Sequence, residues 1–553
     1  MIDNRPPSVA ALFIDRVAAT PDGEAYRYPV PSASGEGPDD WKSLSWGQAA
    51  ERVYAIAAGL IALGVQPEER VALSSATRVE WILIDLGVMC AGAATTTVYP
   101  STNAEESAFI LADSESRILI AEDAEQLAKA RERRTELPDL AHVIVIDPAG
   151  VEPAEGDPEG WIITLADLEA RGNELLAKTP DAVTERVSAI TADQLATLIY
   201  TSGTTGRPRG IRRPLPGKLP EETYLGGFLG IFGIRPFDDN VHLVCSPLYH
   251  TAVLQFASAA LHIGHPLVLM DGWAPEGMLR LIDTHRCTHT HMVPTQFHRL
   301  LALPDEVKDR YDVSSMRHAI HGAAPCPDHV KRAMIDWWGN CVEEYYAASE
   351  GGGAFATAEQ WLKKPGTVGK AWPISELAVF DDDGNRLAAG QLGTVYMKMS
   401  TGGFSYHKDE TKTRKNRIGD FFTVGDLGVL DADGYLFLRD RKIDMIIAGG
   451  VNIYPAEIES ALLTHPAVAD AAAFGIPHAD RGEEVKAVVE PAEGHEAGEA
   501  LAAAILAHCE ERLAGYKRPR SIDFIAAMPR DPNGKLYKRR LREPYWEGHR
   551  RPL

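Results

Sequence analysis

Apolar residues along this chain recur at two spacings. Short, nearly unbroken apolar runs, "RVALSSA", "LATLIYTS", "NVHLVCSP" and "HPLVLMD", predict strands buried on both faces. Longer segments carry apolar positions every third or fourth residue. The clearest is "SWGQAAERVYAIAAGLIALGV", which predicts a helix capped by Ser45. Alternation of the two types predicts parallel sheets covered by helices. "KSLSW" and the Gly/Pro-rich "PVPSASGEGPDDW" before it predict a surface hairpin or loop. From about Gly384 the pattern changes. "GQLGTVYMKM" and "GVLDADGYLFLRDR" read as β-strands with Asp-Gly turns. After "RDRKIDMIIAGG" follows a compact α+β segment: helix "PAEIESALLTHP", strands "VADAAAFGI" and "VKAVVE", and helix "ALAAAILAHCEERL". A domain boundary is therefore expected near Asp440–Arg441, dividing residues 1–440 from 441–553. No internal repeat is present.

Composition narrows the class. The 553 residues are 45% apolar and 24% charged, enough for a sizeable core and two to four domains. A net charge of -22 excludes a nucleic-acid-coating role, which needs a basic surface. The tail from Gly515 to Leu553 is an exception, with eleven Lys/Arg against four Asp/Glu, and suits contact with phosphates. Six scattered cysteines without a CxxC pair indicate free thiols in a reducing compartment. The amino-terminal stretch lacks a cationic segment ahead of an apolar run, and no apolar run is long enough to span a bilayer. The expectation is a cytoplasmic protein without a transmembrane segment.

The candidate chemistry begins at "LIYTSGTTGRPRG", Leu198–Gly210. Gly203, Gly206 and Gly210 can turn backbone N–H groups toward an anion. Thr201, Ser202, Thr204 and Thr205 add hydroxyl donors, and Arg207 and Arg209 add charge. The Walker spacing is absent. On composition the stretch fits a phosphate cradle or a polar surface loop. "CTHTHMVPTQFH" places Cys287, His289 and His291 on one face of an expected strand, and "DADGYLFL" and "DDDGNRL" read as hairpin turns rather than calcium loops.

The glycine-rich string resembles the phosphate loop of the adenylate-forming superfamily of acyl-CoA synthetases, adenylation domains and beetle luciferases. Further stretches follow in that family's order. "HGAAPCP" resembles its adenine-pocket loop, which implies Gly322, Ala323, Ala324 and Pro325 at the nucleotide. "EYYAASE" resembles the motif that contacts adenine, α-phosphate and metal. This implies nucleotide contacts from Glu344, Tyr345, Tyr346, Ala347 and Ser349, and Mg²⁺ held by Glu350 with Thr201. "FFTVGDLG" implies that Asp426 accepts from the ribose hydroxyls, with Phe437 and Arg441 nearby. "AGGVNIYP" implies that Gly449 and Gly450 line a passage for the CoA thiol, where side chains would block the way. "PRDPNGKLYK" resembles the lysine signature, which implies that Lys535 bridges the carboxylate and the α-phosphate. "PLYHTAVL" and "EGGGAFA" imply an acyl pocket built from Thr251, Leu254, Gly351 and Gly352, with His250 at its mouth. The chain departs from the family in four places: Arg209 stands for a lysine, Ala347 for a glycine, Ser349 for a threonine, and Ile443 for a polar hinge residue.

The resemblance implies a large N-terminal domain of two layered αβ subdomains plus a distorted β-barrel, and a small mobile α+β C-terminal domain. It implies that ATP, Mg²⁺ and CoA act on a small carboxylic acid, giving acyl-AMP and pyrophosphate, then the CoA thioester and AMP. Local resemblance to bacterial fatty-acyl ligases, and the small residues of "EGGGAFA", suggest a medium- or long-chain fatty acid or another bulky lipid acid. Delivery of the acyl group to a carrier protein or an amine is the main alternative. A luciferase-like oxygenase and a non-catalytic nucleotide sensor are further ones. The resemblance also leaves room for a homodimer.

Overall fold

The structure, a computed structural model, describes residues 8–30, 40–152, 154, 156–191, 193–202, 208–212, 228–236, 239–400, 404–530 and 536–547; for 201–202, 208–212 and 412 it describes the backbone alone. The four strands expected from apolar runs form at Arg70–Ser74, Thr197–Ser202, His242–Val244 and Leu267–Leu269. They belong to two different sheets. The smaller runs in the order Ser405–Tyr406, Pro208–Arg212, Thr197–Ser202, Ala94–Thr97, Arg70–Ser74, Ser116–Ala121, His142–Val145, Ile162–Thr164, and is parallel from Thr197–Ser202 onward. The larger has a parallel centre of Glu24–Val30, Leu267–Leu269, His242–Val244, His289–Met292, His318–His321 and Val342–Ala348.

Helices fill the space between the sheets and cover their outer faces. Trp46–Ala62 starts at Ser45, whose hydroxyl accepts from the Gln48 amide while the Gln48 side chain returns to the Ser45 amide, a reciprocal cap. This helix, Val79–Cys90 and Thr251–His262 bury their apolar stripes in one layer with Tyr26, Val71, Leu73 and Leu269. Pro275–His285, Pro294–Leu301 and Asp328–Trp338 cover the other face of the larger sheet. Ala104–Asp113 and Ala124–Glu132 cover the smaller. The result is the expected pair of αβ layers.

The β-rich segment differs from expectation. Beyond Val342–Ala348 the larger sheet becomes antiparallel and continues through Gly351–Ala356, Gly369–Ala371, Tyr435–Arg441 and Asp426–Leu430 to Leu392–Met399. Among the described residues its pairing stays open. The cause is Gly351–Ala356, which hydrogen-bonds along both edges and so fuses the β-rich part to the parallel centre instead of releasing a separate barrel.

A third sheet belongs to the small domain. Its strands include Ile446–Ala448, Val451–Ile453, Val468–His478, Gly482–Pro491 and Ser521–Phe524. Ile446, Ile458, Leu462, Val485 and Ile505 form its core. Strand Tyr435–Arg441 pairs in the larger sheet, and the next strand, Ile446–Ala448, pairs in the third. Among the described residues, no helix is long and apolar enough to cross a membrane.

Candidate functional site

Ligand crevices in parallel sheets open beyond the carboxyl ends of the strands. Strand Val342–Ala348 delivers Tyr346 and Ala347 to that end, and Ser349 and Glu350 form the turn into Gly351–Ala356. The Tyr346 hydroxyl donates to Asp426 Oδ2 at 2.6 Å. Asp426 is 9% exposed and sits opposite Arg441 in register. Arg441 Nε lies 3.5 Å from Asp426 Oδ1. Burial and the Asp426 carboxylate raise the Tyr346 phenol well above its ordinary value, which keeps it a donor. A carboxylate has about four lone-pair sites, so Asp426 retains capacity for further donors beyond the tyrosine. Three residues expected at the nucleotide are thus linked by direct contact.

Two more links complete the arrangement. Ser349 Oγ donates to Thr251 Oγ1 at 3.2 Å, which joins the turn to the first residue of helix Thr251–His262. His250 precedes that helix, 7% exposed, with its ring 4.8 Å from those of Tyr99 and Tyr249. Leu254 follows one turn along, half-buried. On the other side, the Tyr406 hydroxyl donates to Glu350 Oε1 at 2.8 Å. Tyr406 pairs with Ile211 in the strand that follows the glycine-rich stretch, and that strand pairs back on Thr197–Ser202. One phenol therefore ties the carboxylate expected to hold metal to the strand pair that carries the loop. No motif marks Tyr406; its partner stands 56 residues away.

Several expected residues have other surroundings. The Glu344 side chain meets Lys331 Nζ at 2.6 Å, with Lys331 fully buried. Burial raises its carboxyl above the usual range, against the pull of Lys331. Tyr345 points to the opposite face from Tyr346, as strand alternation requires. It is 7% exposed, donates or accepts at His291 Nε2 at 2.9 Å, and packs on Phe256. Phe437 is half-buried opposite Val429, four residues down the strand from Arg441. Gly352 and Gly353 do not leave empty space: a Cβ on Gly352 would lie 2.7 Å from Met397 Cβ, and one on Gly353 2.6 Å from the Trp372 ring. Gly449 and Gly450 form the two-residue turn of the hairpin Ile446–Ala448/Val451–Ile453, with φ of 59° and 80°. A Cβ at either position would meet nothing within 4 Å, and the left-handed turn accounts for the local need for glycine.

The adenine-type loop sits at the rim. Gly322 is buried, Ala324 half-buried and Pro325 exposed. Ala323 is exposed with φ 67°, a strained conformation of the kind that collects at ligand sites. Gly203, Thr204, Thr205, Gly206 and Lys535 lie outside the described residues, as do the side chains of Thr201, Ser202 and Arg209. Among the described residues no group of three or more His, Cys, Asp or Glu is set to hold a metal ion. A single carboxylate such as Glu350 nevertheless fits Mg²⁺, which keeps several waters and takes one or two protein carboxylates beside phosphate oxygens.

The AMP-binding enzyme family model matches residues 13–404, and that of the AMP-binding enzyme C-terminal domain matches residues 457–535. A long-chain-fatty-acid–CoA ligase of Mycobacterium tuberculosis is 30% identical over 88% of this chain and 90% of its own. A 3-[(3aS,4S,7aS)-7a-methyl-1,5-dioxo-octahydro-1H-inden-4-yl]propanoyl:CoA ligase from the same species is 31% identical over 89% of this chain and 92% of its own. The crystal structure of ATP-bound MatB from Rhodopseudomonas palustris, 26% identical, superposes with a TM-score of 0.75 over 98% of this chain and 100% of that one. With contacts, domain order and near full-length similarity in agreement, the chain belongs to the AMP-binding enzyme family, among relatives that are acyl-CoA synthetases and ligases.

Proposed function

We propose that this enzyme is an ATP-dependent acyl-CoA synthetase acting on a bulky, largely apolar carboxylic acid. A carboxylate oxygen attacks the α-phosphorus of ATP and pyrophosphate leaves. The CoA thiol then attacks the carbonyl of the acyl-adenylate, loses its proton, and AMP leaves. Two anions meet in the first step, so the barrier falls where positive charge is held between them. Lys535 and Arg209 take that role in this reading, and the amides and hydroxyls of 201–206 cradle the phosphates. Tyr346 lies along the adenine, Asp426 accepts from the ribose, and Ser349 hydrogen-bonds near the α-phosphate. Glu350, steadied by Tyr406, would hold Mg²⁺ together with Thr201; the ion neutralises phosphate charge when bound.

The observation that carries the proposal is the chain of contacts Arg441–Asp426–Tyr346 and Tyr406–Glu350, which gathers residues from four separate segments at one strand end. The acid is less constrained. Gly352 and Gly353 add little support for a long tail, because Met397 and Trp372 lie where their side chains would be. The relatives act, by their names, on a long-chain fatty acid and on a fused-ring propanoate, which supports bulk without choosing between chain and ring. Acid-dependent exchange of pyrophosphate into ATP, together with thioester formation from free CoA, tests the proposal. Exchange that survives Lys535→Ala would overturn the assigned mechanism. Exchange without consumption of CoA would move the acceptor to a carrier-protein thiol or an amine.

A further inference from the structure

The carboxylate of the acid must lie near Ser349, so its tail leaves the phosphates along the start of helix Thr251–His262. Thr251 and Leu254 stand at the start of that helix, which packs against the larger sheet. What fills the layer between helix and sheet decides how far a tail can extend.

Three side chains close that layer. Tyr345 projects from strand Val342–Ala348 across its neighbour and presses on bare backbone: a Cβ at Gly322 would lie 2.6 Å from Tyr345 Cε1. Its hydroxyl is held at 2.9 Å by His291 Nε2. The His291 ring stacks on Phe256 with centroids 5.0 Å apart, and Phe256 lies 5.7 Å from Tyr345. Phe256 is 1% exposed and His291 2%. Behind them the same face of the sheet is filled by His289 and His242, whose rings are 4.6 Å apart. The aromatic wall continues beside this plug. Phe228 is 4.7 Å from Phe256, Phe232 is 4.9 Å from Phe355, and Phe228 is 6.3 Å from Trp372.

We propose that Tyr345, braced by Gly322, His291 and Phe256, is the floor of the acyl pocket, and that this enzyme selects compact ring-bearing acids over straight chains of eight or more carbons. The inference rests on the acyl-CoA synthetase reading above and narrows its substrate class. A straight chain needs depth in one direction, which the tyrosine denies. A flat ring system needs width and ring edges and faces to pack on, which the phenylalanines and Trp372 offer. The role does not require the hydroxyl: the ring supplies the obstruction, and the bond to His291 fixes its rotamer. Gly322 is essential to the arrangement, because any side chain there would drive the ring out of its place.

The test is a panel of 3-phenylpropanoate, 2-naphthylacetate, octanoate, dodecanoate and hexadecanoate, with adenylation read by pyrophosphate release and kcat/KM obtained for each. The wild-type enzyme should prefer the two ring acids to dodecanoate by at least tenfold. Tyr345→Ala should raise kcat/KM for dodecanoate relative to 2-naphthylacetate by roughly 10- to 100-fold, the scale at which pocket shape discriminates apolar groups. Tyr345→Phe keeps the ring and should keep the ranking of the acids, with a broader preference once the rotamer is freed. If Tyr345→Ala does not fold, Gly322→Ala, which displaces the ring without removing it, reports the same change in ranking. A wild-type enzyme that prefers dodecanoate or hexadecanoate, or a Tyr345→Ala enzyme with unchanged ranking, overturns the floor. Failure of every acid to support pyrophosphate release would instead overturn the parent reading, so the two are separable.

Discussion

Lys331→Met offers a direct test of how strand Val342–Ala348 is held. Lys331 is fully buried, and its Nζ lies 2.6 Å from Glu344 Oε2 and 5.2 Å from the centre of the Trp361 ring. Methionine keeps most of the volume and removes the charge, leaving the Glu344 carboxylate buried without its counter-ion. Breaking such a pair costs about 3–5 kcal/mol. Protonation limits the loss. Burial already raises the Glu344 carboxyl above its ordinary value, and a folded state with a raised carboxyl pKa binds the proton more tightly than the unfolded chain. Stability is therefore recovered as pH falls and lost as it rises. Neutralising a carboxyl of ordinary pKa about 4.3 at pH 7.5 costs about 4 kcal/mol, and at pH 5.5 about 1.6 kcal/mol. The deficit of the variant should thus shrink by about 1.4 kcal/mol for each unit of acidification. Urea unfolding of the large domain, followed by tryptophan fluorescence at four values between pH 5.5 and 8.5, measures it. Adding Glu344→Gln should remove the pH dependence. A deficit that does not vary with pH refutes the reasoning. So does a folded, stable variant whose principal defect is a raised KM for ATP, which would return the Glu344 side chain to the nucleotide.

Tyr406→Phe should lower acid-dependent pyrophosphate exchange by roughly 10- to 100-fold, the loss of one hydrogen bond to a charged group, and raised Mg²⁺ should recover part of it; a change under twofold at every Mg²⁺ concentration counts against the link. Gly450→Ala places a Cβ at φ 80°, costing the hairpin about 1–2 kcal/mol, so thioester formation should slow while adenylation holds; equal losses in both steps would deny the hairpin a place in the second step. Ala323→Gly relieves the strain at φ 67° and should stabilise the large domain by up to about 1 kcal/mol, visible as a higher midpoint on thermal unfolding.

The limits of reading this chain from its sequence lie in the difference between a motif and a strand. Runs such as those at 70–74 and 267–269 were legible because strands buried on both faces are apolar throughout, and helix 46–62 because its cap and its stripe agree. "EYYAASE" is also legible as a motif, yet a motif read as a block assigns every residue to one side. The backbone does not permit that. Tyr346 reaches Asp426, so its neighbour must face the other way; Glu344 goes to Lys331 beneath one face, and Tyr345 to Phe256 and His291 beneath the other. The same holds for the glycines. Absence of a side chain signals room only when nothing else moves in, and Met397, Trp372 and the Tyr345 ring have moved in at 352, 353 and 322. Contacts of this sort join residues 13–89 positions apart, and no local spacing encodes them. They are settled by which side chains fill the layer between helix and sheet, and on the proposal made for Tyr345 that layer, more than the nucleotide motifs, sets the choice of acid.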